Sequence, residues 1–376
     1  MSYRYGASFV DPGLNTLVAP TPQYLYNLYA WGNNVYGQLG LNNTTYYSSP
    51  KQVGSLTNWK QIVSGLSFSF AITTDGTLLS WGISGDGALG LNNTTNYSSP
   101  KQVGSLTNWS SVSCGYAHTL SIKTDGTLWA WGKNNYGQLG LNNRTYYSSP
   151  KQVGALTNWS SISSGGYQTV SIKTDGTLWV WGRGAFGQLG LNNTTNYSSP
   201  KQVGSLTNWS SVSCGVDFTL SIKTDGTLWS WGNNNYGQLG LGNTSYCSSP
   251  TQIGLLTNWL SVSCGKYHTL SIKTDGTLWS WGGNARGQLG TNNIANYSSP
   301  KQVGALTNWL LASCGQYFTI STKTNGTLWS WGSNANGELG LGNITWYSSP
   351  KQVGSLTTWS KLFKGCISSS TLALTL

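Results

Sequence analysis

A repeat of 50 residues, without a single insertion, is the feature that most constrains how this chain can fold. The triplet Ser-Ser-Pro ends at Pro50 and returns every 50 residues as far as Pro350. Six full copies span residues 51–350, and residues 25–50 and 351–376 together supply about one more. Because a unit divided between the two termini is how a closed ring joins its ends, we expect a ring of seven units. Residues 1–24 would lie outside this ring as an N-terminal extension.

Each copy reads as short strands separated by turns. In the third unit, strands are predicted at 109–113, 119–123, 127–131 and 150–153. The last of these contains Pro and Lys, which suit an exposed sheet edge, so it is placed at the rim. Asp125-Gly126 predicts a two-residue hairpin turn in which both residues have positive φ. In a later copy Asn325 replaces the aspartate, so the acidic residues of this series are turn residues rather than ligands.

Tryptophan supplies the large side chains that such short strands must bury. The chain has 20 tryptophans, and only 8% of its residues are charged. A ring of small sheets is a β-propeller, in which each sheet forms one blade and both of its faces pack against neighbouring blades. Trp129 and Trp131 are therefore predicted to lie on one buried face and Leu128 and Ala130 on the other. The sequence therefore predicts an all-β protein: a seven-bladed β-propeller of four-stranded antiparallel blades, closed by a blade split between the two termini. Residues 25–376 form its single domain.

The residues that acid–base or metal chemistry needs are scarce. The chain has nine acidic residues and two histidines. His118 and His268 lie three blades apart with no Cys, Asp or Glu at ligand spacing, which favours packing over metal binding. Cys114 shares a register with Ser64, which indicates a small buried side chain, with a reactive thiol as the alternative. We predict a protein that is not an enzyme and has no metal and no cofactor, and no stretch is apolar enough for membrane insertion.

Three motifs carry a family resemblance: Ser113-Cys114-Gly115, the run from Asp125 to Gly132, and Tyr136-Gly137-Gln138-Leu139-Gly140. Over residues 25–376 the chain resembles the regulator of chromosome condensation repeat family of seven-bladed propellers. The resemblance implies nucleotide exchange on a small GTPase, chromatin docking or an interaction scaffold. Exchange in such proteins depends on a wedge-like insertion, and copies of equal length leave no room for one.

Two windows differ between copies and are predicted to share one face. The first follows the glycine that every copy has at the position of Gly115, and the second follows Trp-Gly. Their Tyr, Arg, Lys and Phe residues are the mixture expected of a recognition surface, with neutral variation in loops as the alternative. The predicted partner-binding residues are Asp86, Tyr116, His118, Tyr136, Tyr167, Gln168, Arg183, Phe186, Asp217, Phe218, Tyr236, Lys266, Tyr267, His268, Arg286, Gln316 and Tyr317.

The net charge of +11 does not by itself indicate a nucleic-acid site. Lysines at 51, 101, 151, 201, 301 and 351 are spaced evenly around the ring, so no basic patch is expected. The near-identity of the copies resembles tandem members found in phage and environmental bacteria. The leading hypothesis is therefore a non-enzymatic virion or surface component that recognises a protein, such as another virion protein or a host receptor, with residues 1–24 as an attachment arm. A glycan is a further possible ligand, and a cytoplasmic regulator that binds a GTPase or nucleic acid is the alternative.

Overall fold

The computed structural model describes residues 25–363 and 365–376, and within these ranges every regular element is a β-strand. The predicted attachment arm, residues 1–24, lies outside the described residues and stays a prediction. The strands are β1 Asn27–Gly32, β2 Tyr47–Gln52, β3 Trp59–Ser64, β4 Phe68–Thr73, β5 Leu78–Gly82, β6 Tyr97–Gln102, β7 Trp109–Cys114, β8 His118–Lys123, β9 Leu128–Gly132, β10 Tyr147–Gln152, β11 Trp159–Ser164, β12 Gln168–Lys173, β13 Leu178–Gly182, β14 Tyr197–Gln202, β15 Trp209–Cys214, β16 Phe218–Lys223, β17 Leu228–Gly232, β18 Cys247–Gln252, β19 Trp259–Cys264, β20 His268–Lys273, β21 Leu278–Gly282, β22 Tyr297–Gln302, β23 Trp309–Cys314, β24 Phe318–Lys323, β25 Leu328–Gly332, β26 Tyr347–Gln352, β27 Trp359–Leu362 and β28 Ser370–Thr375.

These strands form seven four-stranded antiparallel sheets, one for each blade. In the blade formed by β7 to β10, the first strand borders the central channel and the last lies at the outer edge. The predicted seven-bladed propeller and the rim position of the fourth strand are confirmed. Pro150 lies where the register shifts between Tyr147 and Lys151, so the missing N–H breaks no regular ladder.

The seventh blade is split between the termini, as predicted. Its sheet runs β2-β1-β28-β27, so the C-terminal segment supplies the two inner strands and the N-terminal segment the two outer ones. Six consecutive residue pairs join β1 to β28, from Asn27 opposite Thr375 to Gly32 opposite Ser370. The last of these pairs matches the pairing of His118 with Gly132 within an unbroken blade. The two ends of the described chain therefore close the ring through an ordinary strand pair.

The hairpin turn differs from the prediction. Gly126 has φ of 77°, but Asp125 is not among the residues with positive φ. Gly126 N–H donates to the Lys123 carbonyl and Lys123 N–H to the Thr127 carbonyl, so the loop has three residues and ends in a glycine bulge. The Asp125 carboxylate accepts hydrogen bonds from Thr127 N and Oγ1 at 2.9 and 2.6 Å. The Asn325 side-chain oxygen accepts the equivalent hydrogen bonds from Thr327 N and Oγ1, which confirms that this position shapes the turn.

The core lies between blades and is built on two buried tryptophans in each blade, as Trp109 and Trp131 show. Trp131 is fully buried, and its Nε1 donates to the Ala88 carbonyl of the neighbouring blade at 2.9 Å. Ala88 stands where most copies have the glutamine of Gly-Gln-Leu-Gly, and because its acceptor is a main-chain carbonyl the side chain can change. Trp129 is only half-buried, because it lies under Lys123 and edge-on to Trp109 where the seam between the blades opens into a pocket. The equivalents of Trp131 are Trp31, Trp81, Trp181, Trp231, Trp281 and Trp331.

Candidate partner-binding face

The two variable windows meet on one face of the ring, as the strand directions predict. Lys133 N–H donates to the Ala117 carbonyl at 2.8 Å, and Arg183 N–H donates to the Tyr167 carbonyl at 2.9 Å. Each second window is therefore hydrogen-bonded to the first window of its own blade. We call this surface the variable face and define it by the residues after the inner-strand glycine and after Trp-Gly in each blade. The Asp-Gly turns lie at the other end of these strands.

Tyrosines from neighbouring blades touch one another across the variable face. Tyr167 packs against Tyr116 with ring centroids 5.1 Å apart and against Tyr136 at 5.3 Å. On the other side of the ring, Tyr267 packs against Tyr236 at 4.9 Å and Tyr317 at 6.1 Å. Because each contact joins two blades, the rings form two continuous aromatic clusters. Each cluster stays partly accessible to solvent.

Charged side chains lie beside these aromatic clusters. Arg183 forms an ion pair with Asp217 at 3.0 Å, and its guanidinium lies 5.0 Å from the ring centre of Phe186. Burial nevertheless raises the pKa of Asp217, because desolvation of its carboxylate outweighs the attraction of the arginine. Lys266 Nζ lies 5.1 and 5.0 Å from the ring centres of Tyr267 and Tyr317. The face thus combines aromatic surface with cations that are held in place.

Asp86 and Gln316, two further members of the predicted set, also lie on the variable face. Lys133 pairs with Asp86 at 3.4 Å, which ties the second windows of adjacent blades together. Gln316 is half-buried, and its main-chain N–H donates a hydrogen bond to the Ser368 carbonyl, near the C-terminal strand, at 2.9 Å.

Four predicted partner-binding residues do not reach the surface. His118, Gln168, Phe218 and His268 are each fully buried, so the prediction that they contact a partner is wrong. These four residues are each the first residue of the second strand of their blade. In the blade of β7–β10 the His118 side chain packs directly over Gly115, so closely that a Cβ on Gly115 would lie 2.1 Å from His118 Cε1. The variation between His, Gln and Phe at this position is therefore variation within the core.

A third loop contributes residues that the sequence analysis missed. The Arg286 guanidinium lies 4.1 Å from the ring centre of Trp346, and Tyr246 packs edge-on to Phe186 at 5.5 Å. Both aromatic residues are exposed, and both come from the segment before the outer strand. The signal was present in the sequence: the position alternates between aromatic residues at Tyr46, Tyr146, Tyr246 and Trp346 and asparagine at Asn96, Asn196 and Asn296.

The central channel is narrowed at the variable face by an apolar cluster. Cys366 and Ile367 pack against Val216, with Leu66 and Tyr116 around them. Behind this cluster lies a cavity of about 490 Å³ lined mainly by serine hydroxyls and buried cysteines. Burial raises the pKa of Tyr116, because its phenolate would be desolvated. Because Tyr116 also packs against this cluster, it is partly a structural residue.

The cysteines that share a register with Ser64 have the buried, structural environment that this register predicts, whereas Cys247 and Cys366 lie outside the register. Cys114, Cys214, Cys264, Cys314 and Cys366 are buried, and Cys247 is half-buried. Burial raises the pKa of the Cys214 thiol to about 12, so it stays protonated and unreactive at neutral pH. Among the described residues, no three His, Cys, Asp or Glu side chains come together as metal ligands. No helix in the same part of the chain is long and apolar enough to cross a membrane.

The fold and the site together define a seven-bladed propeller whose blades differ from one another on the variable face. The RCC1-like domain matches residues 25–253, and the regulator of chromosome condensation (RCC1) repeat matches residues 275–321 and 325–366, with a second form of this repeat at 259–288. The chain therefore belongs to the RCC1-like domain family, as the sequence motifs indicate. A search of the curated proteins found no match.

Solved structures share the fold at low sequence identity. Human WBSCR16 is 22% identical with a TM-score of 0.82, covering 93% of this chain and 98% of that one. Yeast RCC1 (Prp20), solved in complex with Kap60, is 18% identical with a TM-score of 0.83, covering 94% and 90%. Prp20p from Saccharomyces cerevisiae, described with its binding to Gsp1p and histones, is 19% identical with a TM-score of 0.82, covering 94% and 93%. At these identities the likeness establishes the fold alone.

Proposed function

We propose that this chain is a non-enzymatic scaffold that binds a protein partner through the variable face. The observation that carries the proposal is the pair of tyrosine clusters at positions where the copies differ. Tyrosine and arginine dominate the energetic centres of protein interfaces, because they offer large contact areas together with hydrogen-bonding groups. Unlike position 118, which varies inside the core, these clusters are also partly accessible to solvent.

The kind of partner follows from the family rather than from the near-identity of the copies. Yeast Prp20 is described with the proteins Kap60, Gsp1p and histones, and we assign this chain a partner of the same general kind, an intracellular protein. A virion or host-recognition role, the leading hypothesis from the sequence, gains no support from the family or from the solved relatives. The alternative hypothesis of a regulator is the better supported of the two.

The charge distribution favours a protein over a nucleic acid. On the variable face, Lys133 and Arg183 are each paired with an aspartate. The rim lysines each lie over a tyrosine of their own strand, as Lys51 does at 5.5 Å from the ring centre of Tyr47. Partner binding should therefore depend weakly on salt, whereas release of counterions from phosphates would make it fall steeply.

Alanine at Tyr167 or Tyr267 should each weaken partner binding by about 1–2 kcal/mol, roughly tenfold in Kd, with little loss of stability. Each ring is the centre of one cluster, so its removal deletes contact area without opening the core. The partner would first be captured on the immobilised chain and identified by mass spectrometry. Its affinity for each variant would then be measured by calorimetry alongside a thermal melt.

Thr124→Ala is the matched control, because Thr124 is exposed at the Asp-Gly end of the blade. It should leave both affinity and melting temperature unchanged. Unchanged affinity in both tyrosine variants, or an equal loss in the threonine variant, would remove the variable face as the binding surface.

A further inference from the structure

A pocket recurs at the seams between blades, well away from the variable face. Where the blade of β3–β6 meets that of β7–β10, it has a volume of about 360 Å³ and is lined by Trp109, Trp129, Lys123, Leu106 and Gln102. Equivalent pockets of about 420 and 430 Å³ contain Lys273 and Lys323. The position is thus a repeated cavity of the fold, large enough for one sugar ring.

Each of these pockets holds a lysine whose ammonium group has no hydrogen-bond acceptor among the described residues. Lys123 is 6% exposed, and its Nζ lies 3.7 Å from the ring centre of Trp129 and 4.9 Å from that of Trp109. Within residues 25–363 and 365–376, no oxygen is hydrogen-bonded to this Nζ. One oxygen of the nearby Asp125 carboxylate, Oδ1, accepts both of its hydrogen bonds from Thr127. The same lysine–indole geometry recurs at Lys173, Lys223, Lys273 and Lys323.

A second donor in the same wall also lacks a partner. Trp109 Nε1 is buried, and none of the described residues accepts its proton; Trp259 and Trp309 are alike. The equivalent pocket beside Trp59 contains neither the lysine nor the half-buried indole. There Trp59 Nε1 donates a hydrogen bond to the Leu56 carbonyl at 2.8 Å. Trp359 Nε1 also lacks an acceptor, although Thr375 replaces the lysine there, so the unmet indole donor belongs to the repeated tryptophan and not to the lysine. A ligand that satisfies it must carry an acceptor oxygen.

The rest of the wall is mainly apolar, with a few polar groups at its edge. Leu106 is 47% exposed, and every one of the seven copies has leucine at this position, although it faces solvent. Gln102, Asn92 and the Ser149 hydroxyl complete the pocket. A flat apolar surface beside amide and hydroxyl groups suits a pyranose ring, which has an apolar face of C–H groups and a rim of hydroxyls.

We propose that the five lysine-containing seams each bind an acidic sugar residue, a hexuronate. Its carboxylate would accept hydrogen bonds from the lysine ammonium, its apolar ring face would lie on Leu106 or the equivalent leucine, and its hydroxyls would bond the amide and serine groups. Five copies around one ring add avidity for a polyuronate chain or a surface that carries several such residues. This site is independent of the partner-binding face.

The test uses glucuronate and glucose, which differ by the carboxylate alone. Glucuronate at millimolar concentrations should shift the indole ¹H–¹⁵N resonances of Trp129, Trp179, Trp229, Trp279 and Trp329, and glucose should shift them at least about tenfold less. In Lys123→Gln only the Trp129 response should disappear, with the other four seams as internal controls. Thr73→Lys combined with Leu79→Trp should create a sixth responding indole at one of the two seams that lack the lysine.

Two results would overturn the proposal. The first is an absence of indole shifts with glucuronate up to tens of millimolar, or equal shifts with glucose. The second is a Lys123→Gln variant that melts at a lower temperature yet keeps the Trp129 response, because the lysine would then act only by stabilising its indoles.

Discussion

Replacing Trp131 by alanine is expected to lower the free energy of unfolding by about 3–5 kcal/mol. The indole is fully buried and donates a hydrogen bond to the Ala88 carbonyl of the next blade. It also packs edge-on to Phe70 of that blade at 5.9 Å and to Trp109 at 6.1 Å. Alanine would open a cavity at the seam and remove one of the bonds joining two blades. Urea unfolding followed by far-ultraviolet circular dichroism measures the loss.

Trp346→Ala is the control for this prediction, because Trp346 is 42% exposed. It removes the same number of atoms from the surface and should change stability by no more than about 0.5 kcal/mol. If the two changes destabilised the protein equally, the assignment of Trp131 to the core between blades and of Trp346 to the surface would be contradicted.

Acid should destabilise the protein through its two buried histidines. Burial lowers the pKa of His118 and His268 to about 3, from 6.5 for a free imidazole, because each Nδ1 lies in the core without an acceptor among the described groups. Below pH 6.5 the unfolded chain binds a proton on each histidine and the folded chain does not. Stability therefore falls as the pH drops from 6.5 toward 3, and between pH 7 and pH 5 the two histidines together cost roughly 4 kcal/mol.

The double variant His118→Phe with His268→Phe should remove this acid sensitivity. Phenylalanine stands at the same position in other blades, at Phe68, Phe218 and Phe318, so the backbone accepts it. The pKa values of Asp217 and Glu338 are raised by burial and act in the opposite direction, but they are present in both proteins and cancel in the comparison. Parallel curves of unfolding free energy against pH for the wild type and the double variant would contradict the buried assignment.

The ring could be predicted because its determinants repeat in the sequence. A fixed period, alternating residues and a divided unit specify blades, rim strand and closure without knowledge of any long-range contact. The turn was wrong in detail, because a type I turn with a glycine bulge and a two-residue turn share the dipeptide Asp125-Gly126. The hydrogen bond from Lys123 N–H to the Thr127 carbonyl and the φ of Asp125, which is not positive, separate the two.

The composition of the face was harder to predict, because variability and exposure are different properties. Position 118 varies between blades as a loop residue would, yet it is the first residue of a strand and packs over Gly115. Trp346 was missed because it lies about 60 residues from Arg286 in sequence and meets it only across the seam between adjacent blades. The seams with unpaired lysines could not be seen either, because a lysine two residues before a turn looks like a solvated side chain.

Site-specific photo-crosslinking tests the central claim, that partners bind the variable face, most directly. A benzoylphenylalanine would replace Tyr236 on the variable face, Thr124 at the Asp-Gly end or Lys151 on the rim, all of them exposed positions. With the captured partner, crosslinks should form from position 236 and not from the other two. Crosslinks from position 124 or 151, with none from 236, would contradict the account.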